Sequence, residues 1–245
     1  MVRSRGCVFM HLTAVHVHPE RYPTSARYPF TLPIVQATRE LSIGAPVTIL
    51  VGANGSGKST LLRAIARRAG IHIWQYEAGR RIEHNPHEER LAEYLDVDWA
   101  HGPVPGSYFA SDLFRDFAQL LDEWAATDPG MLQHFVGHSL LTLSHGQSLM
   151  AYFESRYRIR GLYFLDEPET ALAPQRQREL AILIAQMASA GHAQFLMATH
   201  SPLLMACEGA TLLSVDQVPI APIDYRATEH YRTWRDFILE RERRG

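Results

Sequence analysis

Lysine is almost absent from this chain of 245 residues. Of its 24 basic residues only Lys58 is lysine, and all the others are arginine. A lone ammonium in an arginine-rich chain marks a position that needs a compact, flexible charge rather than a broad planar fork. Net charge is scarce too, with a formal value of −2. No strong basic field advertises nucleic acid, and no acidic tail is present. Cysteine is limited to Cys7 and Cys207, too few for a disulfide framework, and a reducing, cytoplasmic setting is expected. No apolar run approaches the ~20 residues of a bilayer-spanning helix. The first residues also lack the charged-then-apolar pattern of a signal peptide. What remains is a chain that is 46% hydrophobic, enough for one sizeable core with a small appended lobe.

Apolar patterning divides the chain. Cys7 to Val17 alternates and predicts a strand, and the proline-dotted stretch from His18 to Pro33 predicts an irregular connection. A short helix is expected over Ile34 to Leu41. Pro46 to Val51 is a continuous β-rich run, as in a buried parallel strand. A helix from Lys58 to Arg68 follows, closed by Gly70, and then a strand from Ile71 to Tyr76. The stretch 79–145 is polar and rich in His, Pro and Gly. It is expected to be a helical lobe inserted in a single domain spanning 1–245, with its clearest helix over Asp112 to Trp124. Beyond it, helices over Gly146 to Arg158, Pro174 to Ala190 and Glu229 to Arg243 alternate with strands over Gly161 to Leu165 and Ala193 to Ala198. A closing β pair is expected at 210–215 and 218–223. This alternation implies an α/β fold with a mostly parallel sheet flanked by helices.

Three motifs close the predicted strands. Gly52-Ala-Asn-Gly-Ser-Gly-Lys-Ser-Thr60 matches G-x-x-x-x-G-K-[ST] between a buried strand and a helix. Such a loop turns successive backbone N–H groups inward around phosphates, and the helix start adds its positive dipole end. Gly52, Asn54, Gly55, Ser56, Gly57 and Thr60 form the cradle, Lys58 reaches the β- and γ-phosphates, and Ser59 offers a hydroxyl to Mg²⁺. Gly161-Leu-Tyr-Phe-Leu-Asp-Glu167 ends in two carboxylates. Ligands gather at the carboxyl ends of strands in an open parallel sheet. Asp166 is therefore read as a metal residue and Glu167 as the base for an attacking water. Ala198-Thr-His-Ser-Pro202 ends the next strand in the same manner, placing His200 near the γ-phosphate.

With Leu143-Ser-His-Gly-Gln147 added, GANGSGKST, LSHGQ, LYFLDEPE and ATHSP stand in the order and approximate spacing of the ABC-type ATPases, which the chain resembles from about Cys7 to Val215. The resemblance implies a P-loop NTPase fold, ATP and Mg²⁺ as ligands, and a homodimer in the ATP state. In it Ser144, Gly146 and Gln147 cap the γ-phosphate held by the opposite subunit. ATHSP and DEPE look more like the soluble ATPases of DNA repair, chromosome maintenance and phage defence than transporter subunits. An unidentified effector protein is thus expected, nucleic acid is a candidate ligand, and a membrane partner is the weaker alternative. A further alternative is an ATP-gated binding module with little hydrolysis.

Departures from the family are visible. Thr170-Ala-Leu-Ala173 lacks the aspartate usual shortly after the base, and the segment before the knuckle is too short for a coiled-coil arm. Gln75 is a candidate coupling glutamine, and Tyr28 and Phe30 are candidates to stack on adenine. His16 and His18 share a strand face without a third metal ligand nearby and read as surface histidines. The clusters Arg63, Arg67, Arg68 and Arg156, Arg158, Arg160 read as solvated faces rather than nucleic-acid contacts.

Overall fold

The computed structural model describes residues 10–73, 85–111 and 145–244. Its main sheet runs in the order β5-β6-β7-β3-β8-β9. In chain order these strands are β3 (Val47–Val51), β5 (Gly106–Ala110), β6 (Gly161–Asp166), β7 (Ala193–Ala198), β8 (Ala210–Ser214) and β9 (Ala221–Pro222). Every pairing is parallel except that of β8 with β9. A second, antiparallel sheet is built from β1 (Leu12–Val17), β2 (Glu40–Ser42) and β4 (Leu95–Trp99), with β1 in the middle. The expected mostly parallel, helix-flanked architecture is present, with this small sheet added to it.

Strand alternation sorts the core into two layers. Val47, Ile49, Val51, Tyr163, Leu165, Phe195 and Met197 point into one, which α3 (His145–Arg156) and α4 (Pro174–Ser189) cover. Leu50, Leu162, Phe164, Leu196 and Ala198 point into the other, under α2 (Lys58–Arg68) and the antiparallel sheet. This is the period-two rule applied to a sheet buried on both faces. Burying a side chain such as Phe195 fully is worth about 1.5–3 kcal/mol. The two sheets are stitched by Gln194 on β7. Its Oε1 accepts from the backbone N–H groups of His11 and Leu12 at 3.0 and 2.8 Å, and its Nε2 donates to the Leu12 carbonyl at 2.8 Å. A fully buried amide is tolerable because both ends are satisfied.

Two expectations need correction. The helix expected to reach Leu41 stops early: α1 is Pro33–Ala37, and Leu41 turns its buried side chain inward from β2, paired with Val15. Ile71 and Ile73 are buried but form no strand; their burial explains why their apolarity read as one. The described part of the stretch 79–145 carries a 3-10 helix over Arg90–Tyr94 and the strands β4 and β5, one for each sheet. The helix expected over Asp112 to Trp124 lies outside the described residues, as do Cys7 and Gln75. The short α5 (Pro202–Met205) and the terminal α6 (Glu229–Arg244) complete the chain. None of α6's side chains is buried, and Trp234, Phe237, Ile238 and Leu239 stand exposed on it.

Register decides what this frame does. Leu50 pairs with Ala198, Ala198 with Asp166, and Asp166 with Ala110. The carboxyl ends of four parallel strands therefore lie on one level, and whatever follows each strand meets the others. The closeness of β5 and β6 has a clear test. A Cβ on Gly106 would lie 1.9 Å from the Leu162 carbonyl oxygen. Gly106→Val is expected to lower stability in urea unfolding by at least about 1–3 kcal/mol, the usual range for overpacking; a wild-type midpoint would mean the strands are not this close.

Candidate functional site

The loop after β3 has the backbone its glycines permit. Gly55 and Gly57 adopt φ of +75° and +98°, left-handed values that favour glycine. A Cβ at Gly57 would also strike Leu32 at 2.9 Å. Lys58 begins α2, and its side chain is buried and folded over its own loop, donating to the carbonyls of Gly52 at 3.0 Å and Ala53 at 2.8 Å. Burial depresses its pKa, while Glu167, Asp216, Asp166 and Glu169 oppose that fall. Asp216, just past β8, accepts from the Ala53 N–H at 2.9 Å and anchors the loop from the far side. Asn54 and Gly55 are exposed, whereas the Ser56 hydroxyl is buried without a hydrogen-bond partner among the described residues. Thr60 bonds to the Tyr28 hydroxyl.

Asp166 is the buried hub of the site. Its Oδ1 accepts from Ser59 Oγ at 2.7 Å, and its Oδ2 accepts from Tyr108 Oη at 2.7 Å. The Arg63 guanidinium lies 3.7 Å away and donates to the Tyr108 hydroxyl at 3.3 Å. Arg63, expected on a solvated face, thus turns toward the site: one turn after Ser59, it shares that residue's side of the helix. Glu167 carries the only positive φ among the described non-glycine residues, +46°. Such backbone is strained and concentrates at functional sites. Its effect is to aim two sequential carboxylates at different targets, Asp166 at Ser59 and Glu167 at His200. His200 Nε2 lies 3.7 Å from Glu167 Oε1. The His200 backbone N–H is held by the carboxylate of Glu169, whose own pKa burial raises.

The structure therefore brings Lys58, Ser59, Asp166, Glu167 and His200 together at one sheet edge. Ser144 lies outside the described residues. Gly146 and Gln147 open α3, where Gly146 is half-buried beside Arg176 and Gln147 is exposed. Phe30 cannot stack on a base, because it is fully buried among Tyr22, His87 and Tyr94. Tyr28 is 40% exposed and lines an open cleft with Ser59, Thr60 and Arg63. Sequence reasoning missed Tyr108, Asp216 and Glu169. Asp216 ends an apolar strand as Asp166 does and was findable by the same rule, whereas nothing local marks Tyr108. His16 and His18 pair with Asp98 and Asp96 at 2.8 and 2.9 Å, as surface histidines on a sheet face.

The donor set fits a hard divalent cation and a polyphosphate. Ser59 and Asp166 are adjacent oxygen donors of the kind Mg²⁺ prefers. The buried Ser56 hydroxyl and His200 Nε2, which have no hydrogen-bond partner among the described residues, are polar groups that a bound phosphate would satisfy.

Residues 130–206, less than half of the chain, match the family profile described as "AAA domain, putative AbiEii toxin, Type IV TA system". The ferric enterobactin transport ATP-binding protein FepC of Escherichia coli K12 is 27% identical over 157 residues, covering 57% of this chain and 57% of that protein. The chain thus spans little more than half the length of that relative. Among solved structures, one titled "An inward-facing conformation of a putative metal-chelate type ABC transporter" superposes with a TM-score of 0.47 at 18% identity, covering 79% of each chain. The SMC head domain from Thermotoga maritima gives 0.43 at 17% identity, covering 88% of this chain and all of that one.

Two outcomes check this geometry. Tyr108→Phe removes a donor from a buried carboxylate and is expected to cost about 1–3 kcal/mol in urea unfolding; an unchanged midpoint would show that Asp166 does not depend on it. For His200, burial, then Lys58 and His230, depress the pKa to about 4. A histidine in the unfolded chain titrates near about 6.5, so between those values the unfolded state takes up a proton that the folded state refuses. Stability is therefore lost as pH falls from about 6.5 to about 4. Thermal unfolding should show a steeper decline over that window for the wild type than for His200→Asn. Parallel slopes for the two proteins would contradict the assignment.

Proposed function

We propose that the chain is an ABC-like P-loop ATPase domain that binds Mg²⁺-ATP, hydrolyses the β–γ bond with water, and closes as a homodimer around the nucleotide. The observation that carries this reading is the meeting of Ser59 and Asp166, 2.7 Å apart, beside the Lys58 loop and the Glu167–His200 pair. Ser59 and Asp166 would hold Mg²⁺, which when bound neutralises charge on the β- and γ-phosphate oxygens. Lys58 exchanges its two loop carbonyls for phosphate oxygens, at little geometric expense because its stem is flexible. The loop N–H groups and the start of α2 bind phosphate without reorganising. Glu167, set apart from Asp166 by its left-handed backbone, accepts a hydrogen bond from the attacking water and draws off its proton. His200 Nε2, buried and without a hydrogen-bond partner among the described residues, supports the γ-phosphate from the next strand.

The second copy supplies what one protomer lacks. In this reading Ser144, together with Gly146 and Gln147 in the first turn of α3, offers uncharged donors to the γ-phosphate across the dimer, and the helix N-terminus adds its dipole. The hydrolytic cycle then opens and closes the pair and works on an effector protein. The description of the matched family profile names a "putative AbiEii toxin", which supports an effector other than a transporter as the first reading. The transport function in FepC's name favours a membrane-embedded partner as the second reading. No described helix is long and apolar enough to cross a membrane.

Solution mass and phosphate release test the proposal together. Glu167→Gln is expected to bind ATP, lose about 10²–10⁴-fold in turnover, and accumulate as a dimer with saturating Mg²⁺-ATP. Lys58→Ala should fail to bind and stay monomeric. A Glu167→Gln protein that remains monomeric while binding ATP would remove the dimer, and unchanged phosphate release would remove the base.

A further inference from the structure

One side chain beside the site has no part in the scheme above. His230, half-buried in the first turn of α6, reaches the back of the His200 ring: His200 Nδ1 and His230 Nε2 are 3.0 Å apart, with ring centroids at 5.2 Å and planes 51° apart. The opposite edge of His200 faces Glu167 Oε1 at 3.7 Å. A neutral imidazole has one N–H and one bare nitrogen, and the hydrogen bond at one nitrogen sets the state of the other. At 3.7 Å the Glu167 carboxylate is beyond hydrogen-bond reach, but its negative charge favours an N–H over a lone pair on the facing Nε2, so the proton of His200 is assigned there. Nδ1 is then bare, and a 3.0 Å contact there needs a donor, which must be His230 Nε2–H. Both rings are kept neutral by burial and by Lys58, against the opposing charges of Asp216 and, for His230, Glu229.

We propose that His230 is a positioning residue whose Nε2–H fixes His200 in the tautomer and orientation that aim an N–H into the phosphate site. The His200 backbone is already pinned by Glu169. His230 supplies the remaining constraint, the rotation of the ring and the location of its proton. The consequence for turnover rests on the hydrolytic reading above; the tautomer does not.

The experiment uses the full chain with ¹⁵N-labelled histidine and no nucleotide, the His200 ring signals being those missing from His200→Asn. Multiple-bond ¹H–¹⁵N spectra are expected to show the His200 proton on Nε2 in the wild type, a mixture of tautomers in His230→Ala, and Nε2–H again in His230→Gln, whose amide still donates. Circular dichroism checks that α6 survives; were alanine to melt it, His230→Leu, which fills the space without donating, replaces it. In Mg²⁺-ATP turnover, His230→Ala should lose about 10–100-fold in kcat, the usual loss when the partner orienting a functional histidine is removed. KM should stay within about twofold, and His230→Gln should recover most of kcat. A wild-type proton on Nδ1, an unaltered His200 spectrum in His230→Ala, or equal kcat losses in the alanine and glutamine variants would overturn the assignment. Should the wild type release no phosphate, the hydrolytic reading falls alone, and the spectra still decide the role of His230.

Discussion

The carboxylate of Asp166 is buried, and a buried charge survives only where donors surround it. Ser59 and Tyr108 supply hydrogen bonds, and Arg63 supplies charge from the same helix as Ser59. These contacts tie the helix after the phosphate loop to the end of β6 and to the edge strand β5. Because parallel register already brings the ends of β3, β7, β6 and β5 to one level, that single carboxylate holds the glycine-rich loop, Ser59 and Glu167 in a common frame.

Local strain complements this constraint. On a regular strand two successive side chains diverge to opposite faces. The left-handed backbone at Glu167 breaks that rule at the last residue of the motif and directs the second carboxylate along the sheet edge to His200. Hydrogen bonds to the Glu167 carbonyl from Ser111 and Thr170, each 3.0 Å long, hold the turn. Strain of about 1–3 kcal/mol is tolerable when several neighbours over-determine it. The acidic pair consequently divides into two roles, one buried and fully bonded, the other half-open and facing a histidine.

The phosphate loop, the acidic strand end and the histidine strand end were legible because each is a contiguous string whose chemistry is local: glycines for backbone freedom, one lysine, carboxylates after an apolar run. β3, α2, β6, α4 and β7 were legible for a similar reason, since buried parallel strands and capped helices carry strong periodic signals. Leu41 misled because three residues of strand and the end of a helix look alike at that length. Ile71 and Ile73 misled because burial, not strand pairing, accounts for their apolarity. Tyr108 and Arg63 were hidden because their partners are distant in sequence, and nothing in their neighbours encodes a contact with Asp166.

By itself the sequence determined which residues carry the site's chemistry, since oxygen donors, a lysine and a glycine-rich turn stand in contiguous strings, and it made polyphosphate and a hard cation the expected ligands. It also determined the layer architecture, because alternating apolar runs demand a sheet covered on both faces. Tertiary structure decided how the motifs meet: which strands are neighbours, that 95–110 supplies a strand to each sheet, and that His230 of the last helix reaches the back of His200. The strand pairings among them join residues as distant in sequence as Val47 and Ala210, and a pairing over that distance is selected by the packing of the whole core rather than by any preference written in its own segment.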